Sequence, residues 1–247
     1  MTASSAGGPL AARRARNARL QAQAEQLAEP HQREGKRLPV VMLPINTRSI
    51  VVLPAEARER FLMHLRLQIT RAFSVPAADA SVAITEATLS AGHDAGEIEG
   101  PDADSDATIH GPLLGAGCAI CRGECCTAGG THAFLKAASL VRVRAQLVAQ
   151  GEAPTPASIE AHYMSALPVH HYHGSCVFHA EDGCTLARVL RSNLCNRYLC
   201  GGLTQLTRSM TGHEVERAFV AAADSMQLRR LARVDRSGTQ SLVIPLA

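Results

Sequence analysis

The spacing of apolar residues changes near residue 54. Residues 38–53 are mostly apolar, with Pro39 at their start and Pro54 directly after their end, which favours an extended segment. Beyond Pro54, apolar residues recur every four positions, and this spacing predicts an amphipathic helix that ends at Val75-Pro76. The apolar stripe of this helix is Phe61, Leu65 and Ile69.

Three further helices are predicted downstream. One spans about residues 131–150, and another begins at Thr155-Pro156, where a threonine N-cap precedes a proline in the first turn. The last is predicted over residues 211–235. Its capping box is Thr211 with Glu214, and its apolar stripe is Val215, Phe219, Ala222 and Met226.

Irregular cysteine-rich stretches separate the predicted helices. We therefore predict a mainly α fold with short β hairpins, in which a small helical domain is organised around cysteine-rich metal-binding loops. Six acidic residues without Lys or Arg mark a linker before the first cysteines. The predicted segments are a basic tail whose composition permits disorder (1–37), an α+β N-terminal region (38–91), the acidic linker (92–114), a cysteine-cluster metal-binding domain (115–202), and a C-terminal helix and tail (203–247).

Composition narrows the class of protein. Hydrophobic residues make up 46% of the chain, as in globular proteins, and aromatic residues only 3%, which suits a helical core of aliphatic side chains. A net charge of +3 does not by itself predict nucleic-acid binding. The four arginines within residues 13–19 are interpreted as part of a solvated, partly helical tail, with contact to an acidic protein partner as the alternative.

The sequence predicts neither a membrane span nor a secretory signal. Prolines, Asn46 and Arg48 interrupt the most apolar stretch, and the first 20 residues lack a continuous apolar run. A cytoplasmic location is therefore expected. In a reducing cytoplasm, eight cysteines are expected to be metal ligands or redox thiols rather than disulfides.

The cysteines form two clusters, and we predict that all eight are metal ligands. Four lie within nine residues and four within twenty-five, a density that buried small hydrophobic residues do not explain. If the first cluster were helical, Cys118, Cys121 and Cys125 would share a face, but glycines nearby favour a loop, so this geometry stays open. The clusters are Cys118, Cys121, Cys125 and Cys126, then Cys176, Cys184, Cys195 and Cys200.

A hairpin is predicted inside the second cluster. Residues 181–183, Glu-Asp-Gly, have the composition of a tight turn. On regular strands Cys176 and Cys184 would share a face but lie about 13 Å apart, at roughly 3.3 Å per residue. Either the strand bends, or the two cysteines serve neighbouring metal centres.

Histidines are concentrated in the same region and are candidates for additional ligands. Imidazole is a common ligand of zinc and of iron. Most of these histidines are expected to be surface or loop residues. They are His162, His170, His171, His173 and His179.

The ordered pattern resembles the YkgJ-type cysteine-cluster family, also described as the CxxCxxCC zinc- or iron-chelating domain. The resemblance covers about residues 115–202 and implies a zinc or iron site. The first cluster departs from the family by one extra residue, Ser192 replaces a proline, and Asn196 replaces an arginine. Besides the eight cysteines, the matching residues are Phe178, Gly183, Leu186, Arg191 and Tyr198.

Three functions are compatible with this pattern. The first is a metal-binding protein for zinc or iron, including a 4Fe-4S cluster, with no assignable substrate. The second is an iron–sulfur-dependent protein N-methyltransferase-like enzyme, because some members of the resembling family are similar to a flagellin lysine N-methylase. The third is a zinc-stapled interaction module that binds a protein or a nucleic acid. Nucleic acid is not expected as a partner, because five Phe and three Tyr offer few stacking surfaces.

Overall fold

The computed structural model describes residues 8–32, 37–74, 113–210, 217–235 and 238–242. The chain divides into two compact units, each assembled from separate stretches of chain. The sheet unit draws on described residues within 1–47, 104–124 and 199–247, and the helical unit on those within 48–103 and 125–198. The units thus interleave along the sequence. Nearly all of the predicted acidic linker, 92–114, lies outside the described residues.

The helices and strands are named in chain order. They are α1 (Pro9–Ala28), β1 (Val40–Pro44), β2 (Ile50–Val52), α2 (Ala55–Phe73), α3 (Ala137–Ala149), α4 (Pro156–Ser165), β3 (His170–Tyr172), β4 (His179–Ala180), β5 (Gly183–Cys184), α5 (Asn193–Arg197), α6 (Gly201–Met210), β6 (Arg217–Ala223), β7 (Leu228–Asp235) and β8 (Gly238–Leu242). Residues 113–121 are also helical. No helix in the described part of the chain is both long and apolar enough to cross a membrane. The fold is mainly α with short β hairpins, as predicted.

The sheet unit is built on a four-stranded mixed sheet of order β1-β6-β7-β8. β1 runs parallel to β6, and the other neighbours are antiparallel. Alternate residues of β6 enter two apolar clusters, with Val220 in one and Phe219 in the other. The Val220 cluster includes residues of the helical stretch 113–121 and of α6, and the Phe219 cluster includes residues of α1. Both faces of the central strand are therefore covered.

The basic N-terminal segment forms a docked helix rather than a solvated tail. Residues 9–28 are helical, as the sequence allowed, but Leu20, Ala24 and Ala28 are buried in the Phe219 cluster. The four arginines occupy the exposed remainder of α1. Burial of this apolar stripe, spaced every four residues, holds the helix on the sheet.

The prediction of a helix over residues 211–235 is wrong. Residues 217–223 and 228–235 are the antiparallel strands β6 and β7, and Asp224 lies in the turn between them. Because β6 is buried on both faces, its alanine-rich sequence lacks the alternation of a half-buried strand. The spacing of the apolar residues in this strand is therefore also compatible with the apolar stripe of a helix. The predicted capping box at Thr211 and Glu214 lies outside the described residues.

The helical unit packs α2, α3 and α4 around a core that contains Phe61, Tyr163 and Phe178, all with no exposed surface. The rings of Phe61 and Phe178 meet edge to face, with centroids 4.9 Å apart. The prediction of a helix beyond Pro54 is confirmed, with Pro54 as its N-cap. The predicted N-cap of α4 is also confirmed, since Thr155 caps the helix there.

Two further comparisons, one of residues 38–53 and one of α3, refine the predicted elements. The extended character of residues 38–53 is confirmed by β1 and by β2, which pairs with β3. Helix α3 begins at Ala137 rather than near residue 131. Gly130, Ala133 and Phe134 have positive φ angles between 44° and 55°, which a right-handed helix does not accommodate.

Candidate metal centre

The structure divides the eight cysteines between the two units. The unit boundary falls between Glu124 and Cys125, inside the first predicted cluster. All eight cysteines lie in the described part of the chain, and none forms a disulfide there. The helical unit contains Cys125, Cys126, Cys176, Cys184 and Cys195, and the sheet unit contains Cys118, Cys121 and Cys200.

Main-chain hydrogen bonds join the two clusters within the helical unit. The N–H of Cys176 donates to the carbonyl oxygen of Cys126 at 3.2 Å. The next residue, Val177, donates to the Gly130 carbonyl at 3.0 Å. Residues fifty positions apart in sequence are therefore adjacent in the fold.

This approach requires a glycine. A Cβ atom added to Gly129 would lie 2.8 Å from the Cys176 Cβ and 3.1 Å from its Sγ. Real Cβ atoms almost never approach other atoms at 2.8 Å. Gly129 therefore permits the segment that follows Cys125 and Cys126 to pack directly on Cys176.

The hairpin after Cys176 is bent and shorter than predicted. The N–H of His179 donates to the Cys176 carbonyl at 2.9 Å, which closes a turn before β4 begins. Strands β4 and β5 pair His179 with Cys184. Gly183, at φ 113°, opens β5 and follows the two turn residues 181–182. The regular strand that would place Cys176 and Cys184 about 13 Å apart, at roughly 3.3 Å per residue, does not form. The main chain follows the alternative in which the strand bends.

Cys195 is placed by a helix N-terminus. Ser192 is the N-cap of α5, and its Oγ accepts a hydrogen bond from the Cys195 N–H at 3.1 Å. Burial of the Cys195 thiol is the largest cause of its raised pKa, although the residue as a whole is exposed. A hydrogen bond with Ser192 and the positive charge of Arg191 act in the opposite direction.

Three thiols of the helical unit have pKa values that are raised in part by the charge of neighbouring cysteines. The pKa of Cys126 is raised first by a hydrogen bond with the Cys125 side chain, then by burial, and further by charge on Cys176 and Cys184. Burial raises the pKa of Cys176 to about 12, and charge on Cys184 and Cys195 adds to the effect. Charge on Cys184 and Cys125 likewise raises the pKa of Cys195. The thiols from three stretches of chain therefore share one electrostatic environment.

The three cysteines of the sheet unit have different surroundings. Cys121 is buried in the Val220 cluster, and Cys200 packs against the same cluster. Cys118 is exposed. The helical stretch ends at Cys121, and Arg122 and Gly123 follow with positive φ angles of 53° and 62°. Cys125 is consequently not on that helix, and the face that it would share with Cys118 and Cys121 does not form.

The candidate histidines have different degrees of burial. His171 and His179 are buried, with exposures of 4% and 1%, whereas His170 and His173 are exposed. The His179 Nδ1 lies 2.8 Å from the Ser175 hydroxyl. His162 lies 3.8 Å from a Glu152 carboxylate oxygen on the surface. The expectation of surface positions thus holds for some of these residues and not for the two buried ones.

The donor chemistry of the helical unit suits zinc or iron, because thiolate ligands favour these metals. In the described ranges, however, no three His, Cys, Asp or Glu side chains are already arranged around a common point. The main chain nevertheless brings the segments that carry Cys126 and Cys176 together.

Comparison with protein-family models, with curated proteins and with solved structures gives no match to this chain. The resemblance to the YkgJ-type family therefore stays a prediction that rests on the cysteine pattern.

Proposed function

We propose that the helical unit binds a zinc or iron ion through cysteine thiolates. The observation that carries this proposal is that five cysteines from three separate stretches share one environment: Cys125, Cys126, Cys176, Cys184 and Cys195. A tetrahedral site needs four of them, which leaves one thiol for exchange or for a second role.

The electrostatics of the cluster support a cationic ligand. Ionising one buried thiol is unfavourable when its neighbours are also negative, and raised pKa values are the consequence. A divalent cation reverses this balance, because thiolates ionise outright when they coordinate a metal. The ligand that such a cluster favours is therefore a soft or borderline metal ion.

The three cysteines of the sheet unit stay predicted ligands without a structural argument for a shared site. The N-methyltransferase-like enzyme and the zinc-stapled interaction module also stay predictions. The proposal for this chain is accordingly metal binding in the cytoplasm, with the metal ion as its partner.

The direct test is elemental analysis of the full chain purified without oxygen, combined with its visible absorption spectrum and an assay for acid-labile sulfide. We expect stoichiometric zinc in a colourless protein, or iron in a coloured one. Iron with labile sulfide would identify a cluster. A folded protein that contains neither metal, and that takes up neither when zinc or iron is added under reducing conditions, would contradict the proposal.

A further inference from the structure

The segment between Cys184 and Cys195 is anchored through its main-chain carbonyl groups by side chains. The donors are four side chains: one on α3, one on α4, one in the segment itself and one on α5. The acceptors are the carbonyl oxygens of Cys184, Leu186, Arg188, Val189, Leu190 and Arg191.

Arg142 ties this segment to α3. Its guanidinium donates to the Val189 carbonyl at 3.3 Å and, in a closer contact, to the Arg191 carbonyl. A third acceptor, the Gln146 side chain at 2.7 Å, orients the guanidinium from the same helix. The anchored residue Arg191 in turn donates to the Cys184 carbonyl at 3.3 Å. Arg142 of α3 is thus connected through Arg191 to the Cys184 carbonyl, and it holds the main chain four residues before Cys195.

Tyr163 ties the same segment to α4. The side chain is completely buried, and its hydroxyl donates to the Leu190 carbonyl at 2.6 Å. Burial raises the pKa of Tyr163, so the hydroxyl keeps its proton and remains a donor. A buried carbonyl without this partner would be costly, which favours the anchored position.

The core beneath these anchors consists of ordinary apolar packing. Phe61, Leu65, Ile159 and Phe178 are fully buried and belong to one cluster that spans the helical unit. Small zinc modules that unfold without metal lack a core of this size. The helical unit therefore has a source of stability that is independent of a bound ion.

We propose that Arg142 and Tyr163 are positioning residues that hold the main chain between Cys184 and Cys195, so that a metal ion enters and leaves the helical unit through rotation of thiols and without unfolding. This inference rests on the proposed metal binding. It assigns to the site an exchangeable ion, as a carrier or sensor requires, rather than a structural ion on which the fold depends.

The test uses the full chain and two pairs of variants. Tyr163→Phe removes the buried hydroxyl and keeps the ring, and Tyr198→Phe is its control because Tyr198 is exposed. Arg142→Met removes the anchor on α3, and Arg144→Met is its control. Arg144 also donates to a carbonyl, that of Ala72 at 2.7 Å, but this acceptor lies at the end of α2.

Three measurements are made on each protein under reducing conditions. Metal affinity is measured by competition with a chelator, the coordination spectrum by loading with Co²⁺, and folding by circular dichroism and urea unfolding after chelation. We expect the chelated wild-type chain to remain folded. Tyr163→Phe and Arg142→Met should weaken metal affinity by about tenfold, the lower end of the effect of losing a partner that bonds a ligand directly, and alter the Co²⁺ spectrum. The two controls should leave both readouts unchanged.

The outcomes separate the two proposals. If the wild-type chain binds no metal, the proposed function itself fails. If metal binds but its removal unfolds the chain, the proposed function stands and the exchangeable site is wrong. If Tyr163→Phe and Arg142→Met lose stability while metal affinity and the Co²⁺ spectrum match the wild type, the positioning role is wrong.

Discussion

Cys176 of the helical unit and Cys121 of the sheet unit are similarly buried, with exposures of 8% and 4%. Both thiols lie in apolar clusters, Cys176 beside Phe178 and Cys121 beside Val220. Besides burial, charge on other cysteines raises the pKa of Cys176. Burial alone therefore does not separate a candidate ligand from a core residue. The charge of neighbouring thiols marks Cys176 as a candidate ligand, so we expect the same substitution to have different consequences at the two positions.

The largest difference is expected between Cys176→Ser and Cys121→Ser. Cys176→Ser should weaken metal affinity by at least about 100-fold, because a ligand is lost rather than an outer-shell partner. Cys121→Ser should leave the metal affinity of the helical unit unchanged and lower the free energy of unfolding by about 1–3 kcal/mol, because a hydroxyl is placed in an apolar cluster. Chelator competition and urea unfolding measure the two quantities. If Cys121→Ser lost metal and Cys176→Ser did not, Cys121 rather than Cys176 would be the ligand.

A second contrast uses two tightly packed glycines, one in each unit. A Cβ on Gly202 would lie 2.1 Å from the Met42 carbonyl oxygen, so Gly202→Ala should destabilise the sheet unit by about 3 kcal/mol or more without weakening metal binding. In Gly129→Ala the added Cβ would lie 2.8 Å from the Cys176 Cβ, so Cys176 must shift and metal binding should weaken. Gly201→Ala is the control, since nothing lies within 4 Å of its added Cβ. Equal effects on metal affinity from Gly129→Ala and Gly202→Ala would contradict the assignment of the centre to the helical unit.

The smallest effect concerns the turn between β6 and β7. The Asp224 carboxylate accepts hydrogen bonds from the N–H groups of Met226 at 2.7 Å and Gln227 at 2.9 Å, and it pairs with Arg229 at 2.6 Å. These contacts, led by the Met226 N–H, lower the pKa of Asp224. Its contribution is therefore present above the unfolded pKa of about 3.9 and is lost as pH falls through the lower folded value.

Asp224→Asn should consequently cost about 1 kcal/mol or less at pH 7, because the turn is partly solvated. The difference from wild type should shrink as the pH falls below the unfolded pKa of about 3.9 and through the lower folded one. Urea unfolding at several pH values measures it. Metal affinity at pH 7 should be the same in both proteins. A difference that grows as the pH falls would show that the carboxylate does not stabilise the turn.

Local signals in the sequence predicted the elements that local interactions form. Helix α2 follows Pro54, and α4 starts at Thr155, whose side chain accepts from the Ser158 N–H at 3.1 Å. The strands β6 and β7 depend instead on partners across the sheet. Alanine favours helices when isolated, so only contact with β1 and β7 explains why residues 217–223 are extended.

The candidate site shows the same limit. The clustered spacing identified the cysteines, but it placed Cys118 and Cys121 with Cys125, across the boundary of two units. The contact between Cys126 and Cys176 depends on hydrogen bonds between residues fifty positions apart, for which no local motif exists. Gly129 was foreseeable only as part of a Gly-Gly pair. Arg142 carries no sequence signal at all.

The parallel pairing of β1 with β6 has a consequence for the order of synthesis. Val40 pairs with Phe219, so β1 has no partner strand on the ribosome until translation has passed residue 219. Every described residue of the helical unit lies between these two positions. The nascent chain therefore contains all five cysteines of the helical unit while the edge of β1 is still without its partner strand.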